Sequence, residues 1–302
     1  MEPHVIEHYQ DAAKVHALCR KKAVEMIQPG IKLVDIAETI ESLTQKHGCG
    51  IAFPLNLSLN DIAAHYTPSA GDEQVVEEGD VLKVDIGVHK EGYIIDAAIT
   101  LDFARTTETK NLVTATQAAL EAGFSKVREG VEVRELGAAI ADTLQSFGVD
   151  PVENLSGHGL EQYVAHCAPT IPNVDSGETD TLEGGFAYAM EPFGSIHGNG
   201  RIVDAGHVEI FEVVETPGMV RNPHARKILE FCTENYDSLP FAERWLVRDM
   251  EMSDFSRKIG LRELVKYGAL EAHPVLREKK GAIVAQFETT MLINKGKVLR
   301  LV

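Results

Sequence analysis

Apolar residues recur at helical spacing along residues 5–28 and stop at Gln28-Pro29-Gly30. A second helical run, from Val34 to His47, stops at Gly48. The pattern then returns 100 residues on: Gly30 aligns with Gly130, Ile31 with Val131, Leu33 with Val133, Ile36 with Leu136, Ile40 with Ile140 and Gly48 with Gly148. Two glycine stops and four apolar matches in register predict an internal duplication. That period is far too long for a solenoid. It implies two αβ halves facing each other, with a site at the seam.

Between the halves the spacing changes. Lys83 to Thr100, "KVDIGVHKEGYIIDAAIT", is rich in Val, Ile and Tyr on both sides of Lys-Glu-Gly and predicts a hairpin of strands 81–88 and 93–101. With His89–Gly92 as the loop, Val88 faces Tyr93 and Asp85 lies opposite Asp96, their Cβ atoms about 5 Å apart. Two buried carboxylates that close repel and need neutralising, by a shared proton or, better, by one or two cations. The plainer alternative is a solvent-facing strand with two scattered aspartates. Further strands are expected at 184–191 and 282–293, giving an α+β fold with a largely antiparallel sheet flanked by helices. Residues 222–272 read as three helices, "HARKILEFCTENY", "LPFAERWLVRDM" and "DFSRKIGLRELVKYGAL", inserted ahead of the final strand. The last has a winged-helix look, but the charges of the segment nearly cancel. It is expected to shape the structure or the substrate site, not to read DNA.

Composition narrows the function. The chain has 302 residues, enough for one large or two ordinary domains, and a net charge of −17 from 29 basic and 46 acidic residues. Such a charge disfavours nucleic-acid and anionic-membrane partners and suits a substrate carrying a positive group. Cys19, Cys49, Cys167 and Cys232 form no Cys-x-x-Cys pair and read as reduced packing residues of a cytoplasmic protein. "MEPHVIEHYQ" has neither the basic start nor the apolar core of a signal peptide, and no apolar run reaches membrane-spanning length.

Three further residues carry chemistry. Glu191 ends "FAYAME" and precedes Pro192, which holds it extended. Glu288 interrupts "IVAQFETTMLI" on the face of Gln286 and Thr290, and His158 lies between two glycines that let backbone approach a crowded centre. Singly, each glutamate reads as a solvent-facing residue and the histidine as a loop residue bonded to backbone. Together with Asp85 and Asp96 they make an oxygen-rich set with a single imidazole. Four carboxylates offset two divalent cations, a known device for hydrolysis. The set is too hard for structural zinc and suits Mn, Fe or Co, with Zn or Ni admissible.

"IAAHYTPS" (62–69), the "DIG…D" hairpin, "SGHGL" with "IPNV" downstream, "MEPFGS" (190–195) and "AQFET" (285–289) together resemble the methionine aminopeptidases, from the first helix to the last strand. "SLPFAERWL" (238–246) resembles the type 2 branch, archaeal in style, and the lack of a long charged N-terminal extension fits its short form. The resemblance implies a pita-bread catalytic domain over 1–221 and 273–302, with 222–272 as the helical insertion. It makes Asp85, Asp96, His158, Glu191 and Glu288 the metal ligands, with Asp96 and Glu288 bridging. His65 and His166 would line the substrate, and Phe53 would stand in the methionine pocket. For His65 a buried structural histidine, for His166 a surface residue and for Phe53 a plain core position are the alternatives.

The implied activity is removal of N-terminal methionine from newly made polypeptides near the ribosome. Water activated by two metals would attack the first peptide bond, Glu191 would shuttle the proton, and small second residues would be favoured. Two positions depart from the family pattern: Thr289 where histidine commonly follows "QFE", and His273 where an aromatic commonly precedes Pro274. Two other readings stand beside this one. An Xaa-Pro-cleaving enzyme of the same fold usually carries a separate N-terminal domain. A non-catalytic ribosome- or protein-binding relative usually loses metal ligands, and here all five remain.

Overall fold

The computed structural model describes residues 1–214 and 220–302; residues 215–219, in the stretch expected to close the first catalytic segment, lie outside the described residues. The first half runs α1 (Pro3–Met26), α2 (Leu33–Lys46), β1 (Gly50–Leu59), β2 (Ile62–Ala64) and the hairpin β3 (Val81–Lys90) and β4 (Tyr93–Asp102). The second half runs α3 (Thr107–Phe124), α4 (Val133–Ser146), β5 (Asp150–Pro151), β6 (Ser156–Glu161), β7 (Val164–Pro172), β8 (Phe186–Met190), β9 (Phe193–Ile196) and β10 (Val203–Val213). Then come α5 (Pro223–Tyr236), β11 (Phe241–Ala242), α6 (Glu243–Asp249) and α7 (Asp254–Lys266), and last β12 (Leu270–Arg277), β13 (Ile283–Gln286), β14 (Thr289–Asn294) and β15 (Lys297–Arg300).

The duplication is written in the backbone. Helices α2 and α4 are 14 residues each and start 100 positions apart. The Gly30 amide donates to the Val76 carbonyl at 2.7 Å, and the Gly130 amide to that of Leu182 at 2.8 Å. Leu33 donates to Gln74 at 2.9 Å and Val133 to Asp180 at 2.8 Å; Val76 answers to Ile31 at 2.9 Å and Leu182 to Val131 at 3.0 Å. Chance helical mimicry would not reproduce contacts to segments tens of residues away.

All ladders among the described strands are antiparallel, in sheets ordered β1-β3-β4, β11-β10-β12-β2, β13-β9-β5 and β15-β14-β8-β6-β7. The hairpin register differs from expectation. Lys90 pairs with Tyr93 across a two-residue turn, so Asp85 faces Ala98 and Asp96 faces Gly87. The reason is turn chemistry. Glu91 and Gly92 both adopt positive φ, +50° and +82°, as a tight hairpin turn requires. The two aspartates are therefore diagonal neighbours on one face, not direct partners. A shift of two preserves the face.

The apolar run 282–293 is also not one strand. It breaks at Phe287-Glu288, and its halves β13 and β14 join different sheets. Nor does a single strand follow the helical segment, since β12 to β15 all lie beyond it. β12 escaped the sequence reading because "LEAHPVLR" carries a proline and no clean alternation.

One apolar core lies under both halves, from Tyr9, Leu33 and Ile40 through Leu136 to Tyr188 and Leu292. A second packs Ile228, Cys232, Trp245, Leu261 and Leu264 of the helical segment against Phe211 of β10. Its helices have good starts. Asn222 accepts from the amides of His224 and Ala225 with Pro223 in the first turn, and Ser253 accepts from Ser256.

Candidate metal centre

All eight residues predicted for the site line one cavity, and two backbone devices bring four of them there. The first is the β3–β4 hairpin, whose shared face presents Asp85 and Asp96. The second is the strand pair β8–β14, which continues as β9–β13 in another sheet. Register runs Met190 to Thr289 on one side of the break and Phe193 to Gln286 on the other. Glu191 and Glu288 are thus opposite each other at the point where both strands bend, the place where a strand side chain can leave both sheets. His158 enters from β6. A Cβ at Gly157 would lie 2.3 Å from the Ala189 carbonyl oxygen, and one at Gly159 2.5 Å from that of Ala168. Only glycine on both sides lets this strand come so near.

The cavity has a volume of about 220 Å³ and is lined by all five of these residues and by Phe53, His65 and His166. Its polar floor lacks positive charge. Asp96, His158 and Glu288 each offer a ligand atom within 4.8 Å of the others. Burial pushes the Asp85 carboxyl up to about 6. Burial, then the neighbouring carboxylates, hold Asp96, Glu191 and Glu288 well above the ordinary range. Burial pushes His158 down to about 4, so its imidazole is neutral near pH 7. Its Nδ1 lies 3.1 Å from the Gly159 carbonyl oxygen, which can only accept, so Nδ1 carries the proton. The bare Nε2 then faces Asp96 Oδ2 and Glu191 Oε1, each at 3.6 Å. Three lone pairs pointing at one another are repulsive without a cation between them. Asp85 Oδ1 and Asp96 Oδ1 are buried with no hydrogen-bond partner at all. The donor set and these orphaned oxygens fit divalent cations.

Around this floor, Gln286 Nε2 donates to Glu191 Oε2 at 3.2 Å and to Glu288 Oε2 at 3.3 Å. Thr290 Oγ1 accepts from the Asp96 amide at 2.8 Å and donates to the Asp96 carbonyl at 2.7 Å, locking its strand. His65 Nδ1 is 3.3 Å from the Pro274 carbonyl oxygen, and burial pushes His65 down to about 4. His166 is exposed as a residue, as its surface alternative had it, yet its ring is 4.2 Å from that of His158, and crowding at the cavity wall, then the nearby histidines, hold it below its usual range. Phe53 lies over Gly87, where a Cβ would meet its ring at 2.4 Å.

Of the two departures, His273 lines the cavity, with Nε2 3.1 Å from Glu212 Oε2 and its ring edge-on to His65 at 5.9 Å. Thr289 does not line it; its hydroxyl donates to the Val302 carbonyl. Sequence reasoning gave Gln286 a shared face with Glu288 but no role. It passed over Asn56, paired with Asp85 across β1–β3, and the apolar liners Leu155, Phe193, Ile210 and Leu276. Asn56 could have been found as a polar interruption of "AFPLNLSL"; the liners carry no signal that separates them from core.

The arrangement fits a metal centre able to activate water, and similarity supplies the class. The profile of metallopeptidase family M24 matches residues 7–221. The chain belongs to that family, which implies divalent metal ions. Within it, the chain is 40% identical to a methionine aminopeptidase of Archaeoglobus fulgidus, across 98% of both chains. The solved methionine aminopeptidase of Thermotoga maritima superposes with a TM-score of 0.70 at 23% identity, covering 100% of this chain and 97% of the other. A thermophilic Arx1 superposes at 0.89 with 18% identity, covering 100% and 91%. These two likenesses establish the fold, which is the pita-bread fold expected. No described helix is long and apolar enough to cross a membrane.

Proposed function

We propose that this chain removes the N-terminal methionine of newly made polypeptides, as a type 2 methionine aminopeptidase. The observation that carries the reading is the convergence of Asp85, Asp96, His158, Glu191 and Glu288 on one cavity with two carboxylate oxygens left unpartnered. These five would hold a pair of divalent cations, with Mn, Fe or Co suiting the oxygen-rich set. Bound there, such cations supply Lewis acidity and bring the acidity of water near neutral pH, making a nucleophile for the peptide carbonyl.

The remaining roles belong to the chain. The floor would receive the substrate's free amino group as the neutral amine, because the carboxylates there are already matched by the cations they hold. Phe53, Phe193, Ile210 and Leu276 offer an apolar wall for the methionine side chain. His65, with Nδ1 donating to Pro274, keeps Nε2 as an acceptor suited to the amide of the second residue. His166 donates to the carbonyl oxygen and favours the tetrahedral state. Glu191 takes a proton and returns it to the leaving amine. Gln286 orients the two glutamates. We take 1–221 and 273–302 as the catalytic unit and 222–272 as its insertion; the second apolar core supports this, although the later boundary falls within β12. The substrates would be met in the cytoplasm, close to the ribosome.

Assay of Met-Ala-Ser, Ala-Pro and a control peptide with added Mn²⁺ or Co²⁺ tests the reading. Release of methionine from Met-Ala-Ser is expected. Cleavage of Ala-Pro alone would assign the chain to Xaa-Pro peptidases, and no turnover with metal demonstrably bound would make it a non-catalytic relative.

A further inference from the structure

His65 sits in the left-handed region, at φ +61°, which residues with a Cβ rarely adopt. Such a conformation persists only where its surroundings over-determine it. On its N-terminal side, Ala64 pairs with Leu276 of β12. On its C-terminal side, the Tyr66 carbonyl accepts from Leu57 at 2.7 Å, and the chain then meets a buried polar network. Thr67 Oγ1 donates to the Leu55 carbonyl at 2.8 Å and accepts from Arg244 Nη1 at 2.6 Å; Nη1 also reaches the Pro68 carbonyl at 3.3 Å. Arg244 Nη2 pairs with Glu41 Oε1, which also takes the Leu55 amide at 3.1 Å. Glu41 Oε2 accepts from Trp245 Nε1 at 2.9 Å. Arg244, Glu41, Trp245 and Thr67 are all at most 4% exposed.

This network joins α2, β1, the turn after His65 and α6 of the helical segment. Leu55, whose amide and carbonyl it takes up, sits at the irregularity of the β1–β3 register between Phe53 and Asn56, both cavity liners. A buried ion pair is a weak device for stability, because desolvation offsets most of its attraction. Its worth here is geometric. A planar guanidinium can address a carboxylate, a hydroxyl and a carbonyl at once, which a lysine cannot.

We propose that the Glu41–Arg244 pair is a brace through which the helical segment holds the strained backbone at His65, so that Arg244 is a positioning residue for that histidine. This rests on the reading of His65 as a substrate-facing group. It gives the inserted helices a task in the reaction itself: α6 grips the turn after His65, while β12, which follows the helices, accepts from the ring.

The test is a double-mutant cycle on the metal-loaded enzyme. Wild type, Arg244→Met, His65→Ala and the double variant are compared for kcat and KM on Met-Ala-Ser, with Mn²⁺ affinity and Tm measured for each. Arg244→Met is expected to lower kcat by about tenfold to a hundredfold, the scale of a misplacement near 1 Å, with Mn²⁺ affinity unchanged. In the His65→Ala background the same substitution is expected to cost less than about threefold, because there is no imidazole left to misplace. Thr67→Val keeps the ion pair and cuts only its link to the turn; a smaller loss of kcat, again absent without His65, is expected, and it carries the test if Arg244→Met does not fold. An equal loss in both backgrounds overturns the brace alone. Wild-type turnover by His65→Ala overturns the reading of His65 and the brace with it.

Discussion

Asp85→Asn in the metal-free protein relieves the electrostatic cost of the site, both that of Asp85 and what its charge imposes on Asp96, Glu191 and Glu288. With no cation present, burial holds the Asp85 carboxyl up to about 6 against an ordinary 3.8. A folded-state pKa raised above the unfolded one contributes stability below the unfolded value and loses it as pH rises through the folded one. Between pH 4 and 6 the folded protein therefore gives up about 3 kcal/mol through this group, at 1.36 kcal/mol for each pH unit. Asparagine has the same shape and no charge, so the variant escapes the loss. Unfolding entropy of about 2.1 cal/mol/K per residue over 302 residues converts the difference to roughly 5 °C in Tm. The assay is thermal unfolding of chelator-treated wild type and variant from pH 4 to 8. The buried histidines, whose depressed pKa values shift stability the other way, titrate in both proteins and cancel, whereas Asp96, Glu191 and Glu288 lose the repulsion of Asp85 in the variant and add to the difference. The variant is expected to match wild type near pH 4 and to exceed it by at least about 5 °C at pH 7.5. Added Mn²⁺ should then reverse the order, raising wild type well above the variant. Equal melting at pH 7.5, or an equal Mn²⁺ response in both, would refute the idea that Asp85 is a buried charge awaiting a cation.

Other outcomes follow from the same geometry. Asp96→Ala should lose bound metal and turnover together, checked by metal analysis beside the peptide assay; full turnover would remove it from the ligand set. His166→Ala should keep its metal while kcat falls by a factor of about 10² to 10³, as for loss of an oxyanion donor. Gln286→Leu should weaken metal binding by about 10- to 100-fold in a calorimetric titration, since Glu191 and Glu288 lose their shared donor. Gly87→Ala should push the Phe53 ring out of place and raise KM for methionyl peptides without changing Mn²⁺ affinity.

The parts of the site that were legible were those with a local physical oddity. Carboxylates in apolar runs at 85, 96, 191 and 288 break, if buried together, the rule that buried charge must be matched, and the histidine between glycines at 158 gained meaning only beside them. The fold's duplication was legible for a similar reason, since a glycine stop and an apolar stripe repeat in register at 30–48 and 130–148. The hairpin was placed correctly and its register was not, because a four-residue loop and a two-residue turn leave the same parity and differ only in whether Glu91 can take positive φ. Strands β1, β6, β7 and β10 left no usable alternation, being covered on both faces or bent by bulges.

By itself, the sequence singled out the side chains whose joint burial would call for a shared proton or a cation, and predicted two halves of one pattern around them. That much is local, since it depends on residue type and spacing along the chain. Only the tertiary structure decided that Glu191 and Glu288 face each other across a break shared by two strand pairs, that Gln286 serves both, and that Arg244, far along the chain, grips the turn after His65. Those facts are distances between segments remote in sequence, and they exist only once the sheets have bent and the two cores have closed.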